Sequence, residues 1–248
     1  MRSYEPFQIT GRQRPSNIVF LCDHASNIIP DEINDGDLGL PQADMDRHIA
    51  FDIGILGFAK ALAEKFDAPL IVSNFSRLVI DPNRAEDDPT LVMQLYDGSI
   101  IPANRDCTPA EKSKRLDLCY RPYHDAAKTV IDERENPVVI SLHSFTKQLN
   151  GYAARPWHVG VLYAHDKRLA QPLMHELSKD ANLCVADNEP YTGRLIGDTM
   201  DRHALSQNRH HALIEVRNDL IETQTGQHKW AQALMSPLTN AIAHATKE

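Results

Sequence analysis

Short apolar runs alternate with amphipathic stretches along most of this chain. Residues 17–22 (NIVFLC) make a β-rich apolar run bounded by Pro15 and a polar turn, the pattern of a buried strand. From Met45 to Phe66 the apolar positions Ile49, Ile53, Leu56, Ala59, Leu62 and Ala63 recur at helical spacing and predict an amphipathic helix. Residues 69–73 (PLIVS) and 77–80 are the next strand candidates. Residues 85–113 are polar and broken by Pro89, Pro102 and Pro109, which reads as an excursion over the surface and a candidate lid. A helix is expected from about 109 to 135, with Pro122 placed to break or kink it. Strands are expected at 138–142 (VVISL), 159–163 (VGVLY), 183–186 and 212–216 (ALIEV), and helices at 165–179 and 229–246. Continuous apolar strands alternating with helices predict an α/β fold, with a largely parallel or mixed sheet flanked by helices. With no repeat, low-complexity tract or linker, one domain over 1–248 is expected.

Composition narrows the partners. No apolar run approaches the ~20 residues of a membrane helix, and the first residues hold no apolar stretch of a secretory signal, so no membrane partner and a cytoplasmic location are expected. A net charge of −8 argues against nucleic acid, which needs a basic face. It leaves room for a small anionic substrate, because one or two local arginines can outweigh a diffuse negative field. Cys22, Cys107, Cys119 and Cys184 form no CxxC pair and read as four reduced thiols. Twelve histidines, several beside acids, point to metal or proton-transfer chemistry. Sequence says nothing of the oligomeric state.

In open α/β sheets chemistry collects at the carboxyl ends of strands. Here 17–22 runs into Asp23-His24, 138–142 into His143-Ser144, and 212–214 into Glu215 and Arg217. Two histidines and a carboxylate at three strand ends suit a catalytic zinc site, which uses three N or O ligands and keeps one position open. A strand-end histidine is also a common hydrogen-bonded structural residue, so residues alone leave both readings open. The segment SRLVIDPNR likewise reads either as a strand with solvated arginines or as Arg77 and Arg84 converging on a pocket, with Asn83 beside the second.

These stretches resemble the N-formylglutamate amidohydrolase family. The resemblance runs through seven segments in order: CDHASNIIP (22–30), DMDRHIAFDIG (44–54), SRLVIDPNR (76–84), YRPYHDAA (120–127), SLHSF (141–145), EPYTGR (189–194) and ALIEVRNDLI (212–221). It implies a zinc-carboxypeptidase-like (phosphorylase/hydrolase-like) architecture, one zinc ion per chain, and hydrolysis of a small acidic N-acyl amino acid, N-formyl-L-glutamate above all. By the same resemblance His24 and His143 are metal ligands, Glu215 is the general base and acid, Arg77 steadies the oxyanion, and Asn83-Arg84 grip a substrate carboxylate. Related carboxypeptidases place a ligating Glu three residues after the first His, where this chain has Asn27, a poor zinc ligand. Asp46 is therefore the expected third ligand, with Asp44 or His48 as substitutes. His203 is expected to reach substrate or support the site from behind, and Arg217 to share the face of Glu215 and line the substrate site. Tyr123 and His124 are candidates to line the pocket, His124 also reading as half of a surface ion pair; of His210-His211 at most one could serve.

The rival readings are a deacylase or carboxypeptidase for another small carboxylate-bearing amide, a non-catalytic metal-binding domain, and a cysteine hydrolase using Cys22 near His24.

Overall fold

The computed structural model describes residues 4–247. In chain order its strands are β1 (Phe7–Thr10), β2 (Ile18–Cys22), β3 (Leu70–Ser73), β4 (Leu95–Tyr96), β5 (Ser99–Ile100), β6 (Val138–Phe145), β7 (Val159–Leu162), β8 (Val185–Asp187) and β9 (His210–Arg217). The α-helices are α1 (Gln42–Met45), α2 (Ile55–Lys65), α3 (Pro109–Arg115), α4 (Arg121–Asp132), α5 (Ala170–Leu177), α6 (Thr199–His203) and α7 (Gln224–Ala245). Seven strands form one mixed sheet in the order β1-β3-β2-β6-β9-β7-β8. β3, β2, β6 and β9 are parallel neighbours; β1 and β7 run against them, and β8 is parallel to β7.

Helices cover both faces, which is why the central strands read as unbroken apolar runs. Along β2, Phe20 and Cys22 pack with Phe58, Leu62, Trp230 and Leu234 under α2 and α7. Val19 and Leu21 point the other way, to Tyr123, Ala127 and Val130 of α4. The alternation along β6 and β9 sends Val139, Ser141, His143 and Leu213, Glu215 to the α4 side.

Three expectations are corrected. Residues 46–54 are turns rather than the first half of a helix: Asp52 accepts a hydrogen bond from Ser144 N at 3.0 Å, and Gly54 takes φ +79°, so α2 starts only at Ile55. Residues 77–80 form a buried turn instead of a strand, closed by Val79 N–H to Ser76 O at 2.9 Å. Pro122 does not break the helix at 109–132. A π turn over Leu116–Tyr120 joins α3 to α4 and lets a residue that lacks an N–H fit without a broken rung. The excursion at 85–113 includes the β4–β5 hairpin and the start of α3, whose Thr108–Glu111 capping box fixes where the helix begins.

Candidate metal centre and active site

β2 ends at Cys22, and the next two residues turn Asp23 and His24 into the interior beside β6. His143 and Glu215 are register partners on β6 and β9, so their side chains emerge side by side on one face. The loop before α2 brings Asp52 over them. His24, Asp52 and His143 are all buried, and their ligand atoms lie within 4.8 Å of one another.

Each imidazole has one nitrogen on the cluster and one on a carboxylate behind it. His24 Nε2 is 2.7 Å from Asp81 Oδ1, while its Nδ1 faces Asp52 Oδ1 at 3.5 Å and has no hydrogen-bond partner. His143 Nε2 is 3.1 Å from Asp23 Oδ2, and its Nδ1 is 3.1 Å from Asp52 Oδ2. Tyr123 donates to Asp23 Oδ1 at 2.6 Å, and Ser141 Oγ stands 3.2 Å from Asp23 Oδ2. A carboxylate behind each histidine is the support that metal-ligating imidazoles ordinarily have; it fixes the tautomer and aims the free lone pair.

Electrostatics agree. Burial would raise Asp23, yet the bonds from His143 and Tyr123 hold it down at about 2. Burial would also raise Asp52 and Asp81. Asp52 is pulled down by His24 and His143, and Asp81 by Arg77 and His24. Burial works to lower His143, but Asp23 and Asp52 outweigh it and push it well up. Three carboxylates thus stay ionised in one buried spot, with Arg77 and His143 beside them. Glu215 behaves oppositely: burial, reinforced by the Asp52 charge, raises it to about 7. Its Oε2 is buried without a partner.

His24, Asp52, His143 and Glu215 line a cavity of about 390 Å³ shared with Arg77, Asn83, Arg84, His48, Tyr96, Tyr191 and Asp198. Arg77 binds Asp81 Oδ2 at 2.8 Å, lies 3.6 Å from Asp52 Oδ1, and stacks over Tyr96 at 5.4 Å. Asn83 Oδ1 accepts from Thr199 N at 3.2 Å, and Arg84 donates to Thr90 Oγ1 and to the Asn83 carbonyl. Walls come from the β4–β5 hairpin and from residues 189–195. Asp97 ties the hairpin to Arg47 at 2.7 Å. The 189–195 segment lies against Gly160 of β7 and Tyr163 just beyond it; a Cβ on Gly160 would stand 2.3 Å from Glu189 O.

Three expectations change in the structure, and the substrate-contact alternative for His203 falls. Asp46 is exposed and bound by Gln42 Nε2 at 2.9 Å, outside the cluster, because it falls in the first turns of the loop whose far end delivers Asp52. His203 does not line the cavity; α6 turns it to His124, 2.9 Å away. His124 is accordingly buried rather than in a surface ion pair. Arg217, the last residue of β9, reaches past the sheet to Asp219 Oδ1 at 2.7 Å and Trp157 O at 3.1 Å rather than to Glu215. Of the other substitutes, Asp44 pairs with Arg47, while Asn27 donates to the Met45 carbonyl. Cys22 packs in the core under α2 with its thiol pushed up by burial, so it does not face the cavity. Asp52 had a sequence signal, the Gly two residues after it that ends the turn; Asp23 and Asp81 stood in plain view at strand and turn ends.

The sequence model described as N-formylglutamate amidohydrolase matches residues 16–222. The chain belongs to the N-formylglutamate amidohydrolase family. Two solved structures are similar to this family member. A gene product of Agrobacterium tumefaciens is 32% identical with a TM-score of 0.92, over 99% of this chain and 97% of that one. An N-formylglutamate amidohydrolase from Ralstonia eutropha JMP134 is 23% identical with a TM-score of 0.69, over 98% and 99% of the two chains, and shares the fold. No curated protein matches.

Proposed function

We propose that this family member is a zinc-dependent hydrolase of small N-acyl amino acids, with N-formyl-L-glutamate, giving glutamate and formate, as the first substrate to test. One observation carries the reading: of three unpaired buried atoms on residues lining one cavity, His24 Nδ1, His48 Nε2 and Glu215 Oε2, the first belongs to the cluster with Asp52 and His143. Leaving such atoms bare costs about 1–3 kcal/mol each unless a ligand satisfies them.

His24, Asp52 and His143 would hold one zinc ion, a donor set of two nitrogens and a carboxylate that suits it. When bound, zinc lowers the pKa of a coordinated water towards ~7 and polarises a carbonyl oxygen. Asp81 and Asp23 keep both Nε2 atoms occupied, so both Nδ1 atoms stay aimed inward. Glu215, held by burial as a weak enough acid to trade protons near neutrality, takes the proton from the attacking water and hands it to the departing nitrogen. Arg77, fixed by Asp81 and Tyr96, donates to the oxygen that gains negative charge, a contribution usually worth ~3–4 kcal/mol per donor. Asn83, whose Oδ1 is already used, offers its N–H groups, and Arg84 its guanidinium, to a substrate carboxylate.

The test is zinc content, with formate release from N-formyl-L-glutamate and from a panel of N-acyl amino acids. One zinc per chain and turnover are expected, with Glu215→Gln lowering kcat by about 10³-fold at unchanged zinc. Zinc binding with no turnover on any member of the panel would overturn the enzymatic reading in favour of a binding domain.

A further inference from the structure

His124 of the YRPYHDAA segment and His203 have no part in the chemistry above, yet they line up behind one peptide group. The turn 81–84 carries Asp81, which backs His24, and Asn83 and Arg84, which line the cavity. α4 and α6 pack over the outside of this turn. His124 is buried, 4% exposed, with Nε2 3.0 Å from the Pro82 carbonyl oxygen. A carbonyl only accepts, so Nε2 carries the hydrogen and Nδ1 is the bare nitrogen. His203 Nε2, 2.9 Å from that Nδ1, must therefore be a donor. The result is a one-way chain from His203 through His124 to Pro82 O.

The same peptide oxygen also accepts from Thr199 Oγ1 at 3.3 Å, and Thr199 N–H donates to Asn83 Oδ1 at 3.2 Å. Tyr120 donates to the Arg84 carbonyl at 2.6 Å and is itself held by Arg202 at 2.8 Å. On the inner side, Asp81 Oδ1 accepts from Asn83 N at 2.9 Å. Every residue from Asp81 to Arg84 is thus held by a side chain. Burial lowers His124 to about 3 and His203 to about 4, so both imidazoles stay neutral and the chain keeps its direction near neutral pH.

We propose that His124 is a positioning residue that acts through the Pro82 peptide to aim Asn83 and Arg84 at the substrate carboxylate. The inference rests on the substrate-binding part of the reading above. His124 touches neither the cavity nor the ligand cluster, so its effect belongs to substrate affinity rather than to zinc or to the proton transfers. His203 fixes the tautomer that lets His124 donate.

The experiment compares His124→Leu, which removes the donor, with His124→Gln, whose side-chain amide reproduces a donor near Nε2 and an acceptor for His203. KM, kcat and zinc content are measured with N-formyl-L-glutamate. The expected result is a KM about tenfold higher in His124→Leu, kcat little changed, one zinc per chain throughout, and recovery of KM in His124→Gln. Equal loss of kcat in both variants, or unchanged KM in a folded His124→Leu, overturns the proposal. If His124→Leu does not fold, Thr199→Val removes the second donor to the same oxygen, and a smaller KM rise is expected; no rise overturns the proposal. Calorimetric binding of N-formyl-L-glutamate to Glu215→Gln, with and without His124→Leu, separates the two readings. Weakened binding in an enzyme that never turns over sinks the hydrolase but supports the positioning role. Turnover with unmoved affinity sinks the positioning role alone, and no binding by any form sinks both.

Discussion

Asp52 reaches the cluster because the chain around it refuses to be a helix. Apolar residues keep helical spacing from 49 to 63, so periodicity alone hides the turn that Gly54 imposes, and Asp46 looks like the better-placed acid. The two are separable by experiment: Asp52→Asn should lose tightly bound zinc, while Asp46→Asn should retain it, as read by metal content after dialysis. His24, His143, Glu215, Arg77, Asn83 and Arg84 reach one cavity from positions legible in the sequence, because strand ends and a short turn define where such side chains go. The aim of Arg217 is not legible, since the last residue of a strand is directed only by what packs around it. Asp198 carries no signal in the sequence that marks it as a cavity residue. It caps α6 through Asp201 N–H at 2.8 Å, and burial raises it to about 7. A carboxyl whose folded value lies above its free value of 3.8 stabilises the fold fully below that value and loses the contribution as pH rises to about 7. Asn caps equally well. Asp198→Asn should therefore flatten the fall in melting temperature between pH 4 and pH 7, and an unchanged slope would refute the assignment.

Among the elements, β2, β3, β6 and β9 announced themselves because strands buried on both faces have no polar alternation to confuse with a helix. β1 was missed: it is four residues at an edge, half exposed, with no apolar run. The reversed direction of β7 was equally invisible, because nothing in VGVLY encodes which neighbour it pairs with. The π turn before α4 shows how a local rule gives way to packing: Leu116, Cys119 and Tyr120 are buried on the sheet, and that burial outweighs a widened turn. Gly54 joins the Asp52 turn to α2. A Cβ there would stand 2.2 Å from the Ile221 carbonyl, on a backbone at φ +79°. Gly54→Ala should cost at least about 2 kcal/mol in denaturant unfolding, from left-handed strain and the clash together, and should weaken zinc retention through Asp52. A mutant as stable as the parent would show that the loop relaxes freely.

At the scale of the whole molecule, the ends of the parallel strands and the turns beside them gather Asp23, Asp52 and Asp81 in a buried region around His24, His143 and Arg77. These carboxylates are held below their free value, so their stabilisation is present above that value and is lost as pH falls through the folded one. A zinc ion bound only by the folded state adds RT ln(1 + [Zn]/Kd), about 4 kcal/mol at a thousandfold excess over Kd. For a chain of this size that corresponds to roughly 8–16 °C. Chelation should lower the melting temperature by that order and zinc should restore it; a transition indifferent to chelator would rule out a tightly held ion. No helix among the described residues is long and apolar enough to cross a membrane.

The cavity walls have a different origin from its floor. Ligand atoms and Glu215 stem from the ends of neighbouring strands and the loop locked to them, whereas Tyr96 and Tyr191 arrive on two appended stretches of chain, one moored through Asp97 and the other laid across Gly160. Such an arrangement is modular. Grafting a new hairpin or a new 189–195 stretch should redraw which small molecules the cavity admits, while its floor passes unaltered into the chimera.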